Sequence, residues 1–338
     1  MPSARPAAPP GLLVDGYGRV ATDLRVSLTD RCTLRCTYCM PADGLIWTPR
    51  EDLLTDDEVV RLVTVAAGLG VREVRLTGGE PLLRPGVVGL VARIRRAAPA
   101  LRLSLTTNGL RLRELAAPLL DAGLERVNVS LDTLRADRFR AVTRRDGLPD
   151  VLAGLAAAAA AGFAPVKVNT VLVRGVNDDE AGDLLAFCLD HGYQLRFIEF
   201  MPLDADHAWT RPDLVTAAEI LDLLGARWTL TPSEAQRGSA PAETWLVDGG
   251  PAVVGVIGSV TRPFCGACDR VRLTADGQIR NCLFARSETD LRHAVRSGAS
   301  DDELAGIWRA AVLGKAAGHG IDDPAFVQPD RTMSAIGG

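Results

Sequence analysis

The stretch RCTLRCTYC places Cys32, Cys36 and Cys39 within eight positions of one another, in a chain that has seven cysteines. Three more, Cys265, Cys268 and Cys282, lie in CGACDRVRLTADGQIRNC, and Cys188 is left over. Three thiolates at C-x3-C-x2-C can hold three irons of a 4Fe-4S cube, and the missing fourth ligand leaves one iron open to a substrate or cofactor. A structural zinc site wants four protein ligands, and no fourth lies beside the first triplet. The second triplet, C-x2-C-x13-C, again leaves a position open; taken alone it also fits a zinc ribbon completed by His293. Cys188 sits in the apolar helical pattern DLLAFCLDHG, where a thiol serves as a small buried hydrophobe. Of 38 basic residues only Lys167 and Lys315 are lysines. Each is either a chance survivor or a position where a compact ammonium matters.

These residues need a scaffold, and the order of elements supplies one. From Asp23 to about Met201, short β-branched runs (DLRVSL, VREVRLT, LRLSLTT, RVNVSL, PVKVNTVLV and LRFIEFM) alternate with helical patterns. Thr55 to Leu69 opens on TDDE, an N-cap with early acids, and the alanine-rich stretch from Asp150 to Ala161 reads as a helix. Repeated βα units predict a parallel sheet, here a partial (β/α)6 TIM-type barrel, with a doubly wound sheet as the alternative. After about Thr231 the rhythm changes to Gly/Pro-punctuated strands (TWLVD, AVVGVIGSV, RVRLTADGQIRNC), with ADGQ as a hairpin turn and two short helices from Glu288 to Leu313. The expected divisions are a disordered tail over residues 1–15, the barrel over 16–240, and a smaller α+β domain over 241–338 that closes it. Chemistry in such barrels gathers at the C-terminal ends of the strands. The first cysteine loop, TGGEP, TTNG, Ser130 and Met201 all fall there, with Lys167 on the fifth strand.

Length and composition agree. The 338 residues are 47% hydrophobic with a formal charge of −4, enough to bury a large core and without the basic excess of a nucleic-acid binder. No apolar run approaches a membrane span, and MPSARPAAPP lacks the apolar stretch of a secretory signal. A cytoplasmic protein is expected, in which clustered cysteines bind metal or do redox chemistry.

With Tyr38 before the last cysteine of the first triplet and GGEP on the next strand, the chain resembles the radical SAM superfamily. Its members chelate S-adenosylmethionine (SAM) at the open iron and cleave it reductively to a 5′-deoxyadenosyl radical. Joined to the second triplet, RLTGGEPLLR, TTNG, VNVSLD, RFIEFMP and the terminal GG, the pattern from about Gly16 to Gly338 is similar to the GTP 3′,8-cyclase family of molybdenum cofactor biosynthesis. That resemblance implies two 4Fe-4S clusters, on Cys32, Cys36 and Cys39 and on Cys265, Cys268 and Cys282. It implies SAM contacts at Tyr38, Gly79, Glu80 (to the amino group), Ser130 and Met201. GTP would meet Arg25, Arg75, Thr106, Lys167, Arg270 and Arg272, with Arg196 and the tail residues Gly337 and Gly338 at the reacting centre. It further implies an electron donor, a downstream cyclic pyranopterin monophosphate synthase that takes the product, no nucleic-acid or membrane partner, and an assembly that could be a homodimer. Two other readings of the same residues are a radical SAM peptide-modifying enzyme with an auxiliary cluster and a non-enzymatic metal-cluster sensor.

Overall fold

In the computed structural model, which describes residues 11–235 and 237–337, the six expected strands form as β1 (Asp23–Ser27), β2 (Glu73–Thr77), β3 (Arg102–Thr107), β4 (Arg126–Ser130), β5 (Lys167–Leu172) and β6 (Gln194–Glu199). Six more follow: β7 (Leu230–Pro232), β8 (Glu243–Val247), β9 (Val253–Ile257), β10 (Arg270–Leu273), β11 (Gln278–Arg280) and β12 (Thr289–Asp290). The helices are α1 (Asp56–Gly68), α2 (Val87–Ala97), α3 (Leu112–Asp121), α4 (Ala136–Thr143), α5 (Leu148–Ala161), α6 (Ala181–Asp190), α7 (Ala217–Gly225), α8 (Arg292–Arg296), α9 (Asp301–Leu313) and α10 (Met333–Ile336).

Local chemistry explains where the helices start. Thr55 Oγ1 accepts the Glu58 amide at 3.2 Å while Glu58 returns a carboxylate to the Thr55 amide at 2.7 Å. The same reciprocal cap opens α7 at Thr216 and α9 at Ser300. Along α1 the residues Val59, Leu62, Val63 and Ala66 recur at helical spacing and are fully buried against the sheet. Each of the valine and leucine side chains contributes roughly 1.5–3 kcal/mol on burial. Cys188 is also fully buried, on α6, as an apolar filler.

One twelve-stranded sheet runs β12-β11-β10-β1-β2-β3-β4-β5-β6-β9-β8-β7. It is parallel from β10 through β1–β6 to β9, with antiparallel hairpins at both margins. The ADGQ turn joins β10 to β11, with Gly277 at φ +80°. This is a partial TIM-type barrel extended at each edge by three strands from the C-terminal part of the chain. Among the described residues β9 and β10 do not pair with each other. The loop between β9 and β10, the strands that flank the six of the barrel, carries Cys265 and Cys268.

Two expected boundaries move. Residues 1–10 of the anticipated tail lie outside the described residues, but residues 11–15 belong to the fold. Leu13 is fully buried, its amide bonds Leu69 O at 3.1 Å, and Val14 bridges Val20. The division at 240 falls inside the β7–β8 hairpin, and β9 pairs directly with β6, so the sheet continues across it. Alternation of strand and helix marks the barrel core well. It carries no signal for strands that return to both of its edges.

Candidate active site

In each parallel strand alternate residues face inward, and the inward positions near the C-terminal ends wall a cavity of about 320 Å3. Cys32, Cys36, Cys39, Tyr38 and Gly79 line it, and so do Cys265, Cys268 and Cys282. Arg25, Arg75, Thr106, Ser130, Arg196, Met201, Arg270 and Arg272 lie in the same wall.

All six of these cysteines are free and half-buried. Among the described residues no three His, Cys, Asp or Glu side chains converge closely enough for a single metal ion. The donor chemistry, three thiols facing one cavity in each set, fits a cluster whose irons are ligated separately. The Cys36 carbonyl accepts both the Cys39 and Met40 amides, the turn that the x2 spacing permits. Asn108 Nδ2 lies 3.8 Å from Cys32 Sγ. Burial pushes the Cys39 thiol up to about 12, even with Ser334 donating to it from both hydroxyl and amide. At Cys268 burial also raises the thiol, but Arg270 and Lys315 outweigh it and bring it down to about 7. His293, the alternative zinc ligand, is exposed on α8 and sits 3.5 Å from Ser297 Oγ, away from the cavity.

Around the first triplet, Tyr38 donates its hydroxyl to Asp132 Oδ2 at 2.5 Å, and Asp132 Oδ1 accepts the Val171 amide. Burial drives the Asp132 carboxyl up to about 6. At Gly79 a Cβ would stand 2.4 Å from Arg31 O, so the chain's own backbone demands the glycine. Glu80 is buried behind the cavity wall, and its oxygens accept Leu82 N (2.9 Å), Thr107 Oγ1 (2.7 Å) and Asn108 N (2.7 Å). Burial raises it to about 7. The side chain binds β3's end to the GGEP turn and holds Asn108 near Cys32.

The interior between the triplets is cationic by register. Arg272 pairs with Arg25 and Arg25 with Arg75 across three adjacent parallel strands, all pointing inward. Arg270 lies two residues before Arg272 on the same face. Burial, then Arg75, lowers Arg25 to about 9; burial, then Arg25, lowers Arg272 to about 9. Arg196 falls to about 10, by burial and then Arg126. Lys167 lies outside the cavity wall, two residues below the wall residue Asn169, and falls to about 7 through burial, then Arg196. Against this array stands Asp23, whose carboxyl is held low by Arg25, Arg75, Arg270 and Arg272 despite burial. Arg25 Nε, Arg196 Nε and Arg270 Nη2 are buried without a hydrogen-bond partner. Such an arrangement is built to receive a polyanion.

The C-terminal segment enters the same region. Ile336 O accepts Ser27 Oγ at 2.9 Å, and Gly337 O accepts Arg272 Nη1. Gly337 has φ +85°, and a Cβ there would lie 2.1 Å from Ser27 Oγ and 2.5 Å from Thr77 Oγ1. Gly338 lies outside the described residues. Reading the sequence for site residues missed Asp132, Asn108 and Ser334. The first two were available as neighbours of strand ends within VNVSLD and TTNG, whereas nothing local marks Ser334.

Two family models match: the Radical SAM superfamily over residues 26–188 and Molybdenum Cofactor Synthesis C over residues 193–321. The GTP 3′,8-cyclase of Streptomyces coelicolor is 66% identical over 329 residues, 97% of this chain and 96% of that protein. The GTP 3′,8-cyclase of Mycolicibacterium smegmatis is 58% identical over 340 residues, 99% of this chain and 94% of that protein. Among solved structures, Streptococcus suis SuiB bound to S-adenosylmethionine shares the fold with a TM-score of 0.59 at 12% identity, over 94% of this chain and 77% of that one. Identity at this level across nearly the whole length, together with both family models, places the chain in the GTP 3′,8-cyclase family of radical SAM proteins.

Proposed function

We infer that the chain converts GTP to (8S)-3′,8-cyclo-7,8-dihydroguanosine 5′-triphosphate, the first step of molybdenum cofactor biosynthesis, using SAM and two 4Fe-4S clusters. The observation that carries the substrate assignment is the inward-facing row Arg272, Arg25 and Arg75 with Arg270, Arg196 and Lys167 on the same inner face. A triphosphate brings the negative charges that this interior lacks; an ordinary peptide backbone does not, which disfavours the peptide-modifying reading.

In this reading Cys32, Cys36 and Cys39 hold the first cluster, and Tyr38, Gly79, Ser130 and Met201 face SAM beside it. Glu80, held behind that wall by three donors, takes the SAM amino group with its remaining acceptor capacity. Cys265, Cys268 and Cys282 hold the second cluster, and the guanine lies against it. Arg25, Arg75, Thr106, Arg270 and Arg272 grip the triphosphate, with Lys167 completing the charge from below. Bound SAM supplies the 5′-deoxyadenosyl radical that takes the C3′ hydrogen of GTP. The chain's own work is to hold C3′ and C8 in contact and keep stray hydrogen donors out. Arg196 and the Gly337–Gly338 tail close the cavity over that contact. The C3′–H bond breaks, C3′–C8 forms, and one electron and one proton complete a product isomeric with GTP.

The electrons require an external donor, and a cyclic pyranopterin monophosphate synthase would take the product. We place the enzyme in the cytoplasm, with a homodimer as its assembly. Among the described residues no helix is long and apolar enough to cross a membrane. The test is anaerobic reconstitution with GTP, SAM and dithionite, followed by chromatography and NMR of the nucleotide. A C3′–C8 linked isomer supports the reading; 5′-deoxyadenosine formed beside unchanged GTP contradicts it.

A further inference from the structure

Lys315 follows α9, where a basic residue ordinarily faces solvent or pairs with the last helix carbonyls. It does neither. The residue is 6% exposed, and its Nζ donates to Cys268 O at 3.0 Å, Arg270 O at 2.7 Å and Cys268 Sγ at 3.3 Å. An ammonium has three protons, and these three acceptors use them all. Among the described residues no carboxylate pairs with Nζ, so the anionic partner of this buried charge is the Cys268 sulfur itself. The position is fixed from the other side by Arg19, which donates to Cys265 O (2.6 Å), Ala316 O (2.6 Å) and Ala317 O (2.8 Å). Asp15 holds Arg19 in turn at 2.6 Å.

We propose that Lys315 is a positioning residue for the second cluster, orienting Cys268 and raising that cluster's reduction potential by its charge. The proposal rests on the reading that Cys265, Cys268 and Cys282 hold a 4Fe-4S cluster. Reduction adds negative charge to a cluster, and a cation hydrogen-bonded to a ligand sulfur stabilises the reduced form. A planar guanidinium cannot reach two carbonyls and a sulfur from one atom. That accounts for a lysine here in a chain whose other basic residues, Lys167 apart, are arginines.

The test uses the full-length, anaerobically reconstituted protein and its K315M, K315Q and K315R variants, with iron content and an EPR-monitored redox titration of each cluster. In K315M the second cluster should be harder to reduce, its reduced-to-oxidised ratio falling about tenfold at a given potential, or about 59 mV for one electron. The first cluster should not move. K315Q, which keeps a donor without the charge, should resemble K315M, while K315R should recover part of the shift. A full complement of iron in K315M with an unchanged second potential overturns the proposal. So does a wild-type potential in K315Q. Should K315M lose the second cluster's iron, retention in K315R but not K315Q supports the role of charge, and loss in all three overturns it. Wild-type protein that takes up only the first cluster would instead refute the cluster reading, a result visible before any variant is made.

Discussion

Replacing Arg272 by Met should make the GTP-free chain more stable while weakening its hold on GTP. Arg272 is buried and in register with Arg25, and burial followed by Arg25 lowers it from 12.5 to about 9. At neutral pH it therefore stays charged against a penalty on the order of a few kcal/mol. Methionine removes that penalty, including the repulsion from Arg25. It gives up the bond to Gly337 O, worth about 0.5–1.5 kcal/mol. Allowing for water that reaches the cavity, a net gain on the order of 2 kcal/mol remains. Urea unfolding of the cluster-free, GTP-free chain reads this as a raised midpoint with an unchanged slope. Equilibrium binding should show the opposite sign: loss of a charge-assisted donor worth about 1.5–3 kcal/mol weakens GTP roughly ten- to hundredfold. Arg272→Lys should recover part of the affinity, having no planar fork. A destabilised Met variant, or one that binds GTP as the wild type does, would refute the reasoning that this array is held in tension for a polyanion.

Reconstituted protein should hold about eight irons per chain; Cys36→Ala should abolish SAM cleavage, whereas Cys268→Ala should leave uncoupled cleavage without cyclised product, and zinc at the second site would contradict the account. Gly337→Ala should expel the tail, since its Cβ would stand 2.1 Å from Ser27 Oγ at a positive φ; like deletion of Gly337 and Gly338, it should spare both clusters and GTP binding yet remove cyclised product, and turnover at the wild-type rate would leave the tail without a role. Asp132 is raised from 3.8 to about 6 by burial, so it contributes stability that is complete below about pH 4 and lost as pH rises through about 6. That window spans about 2 units, or about 3 kcal/mol at most. Asp132→Asn should flatten the stability of the cluster-free chain across it relative to wild type, and parallel curves would contradict this.

The parts of this molecule that follow from local pattern were readable in the sequence. Six strands, the Thr55 cap, the alanine-rich helix and the two thiol triplets each depend on residues within one short stretch of chain. What the sequence hid depends on pairing across long separations. Nothing near Arg25 announces that it lies beside Arg272, and the cation row exists only because β10 returns to β1. The same holds for Ser334 at Cys39 and Lys315 at Cys268, which are brought together by the last helix turns docking on the barrel. Glu80 shows the opposite limit. Its motif was legible, but the direction of its carboxylate was decided by three donors, Leu82 N, Thr107 Oγ1 and Asn108 N, that only the fold supplies.

The central claim is that the cavity holds C3′ of GTP against the radical generated at the first cluster and C8 against C3′. Turnover of GTP carrying deuterium at C3′ measures this directly. The account predicts one deuterium in 5′-deoxyadenosine and none at C3′ of the cyclised nucleotide. Unlabelled 5′-deoxyadenosine, with deuterium retained in the nucleotide, would contradict it.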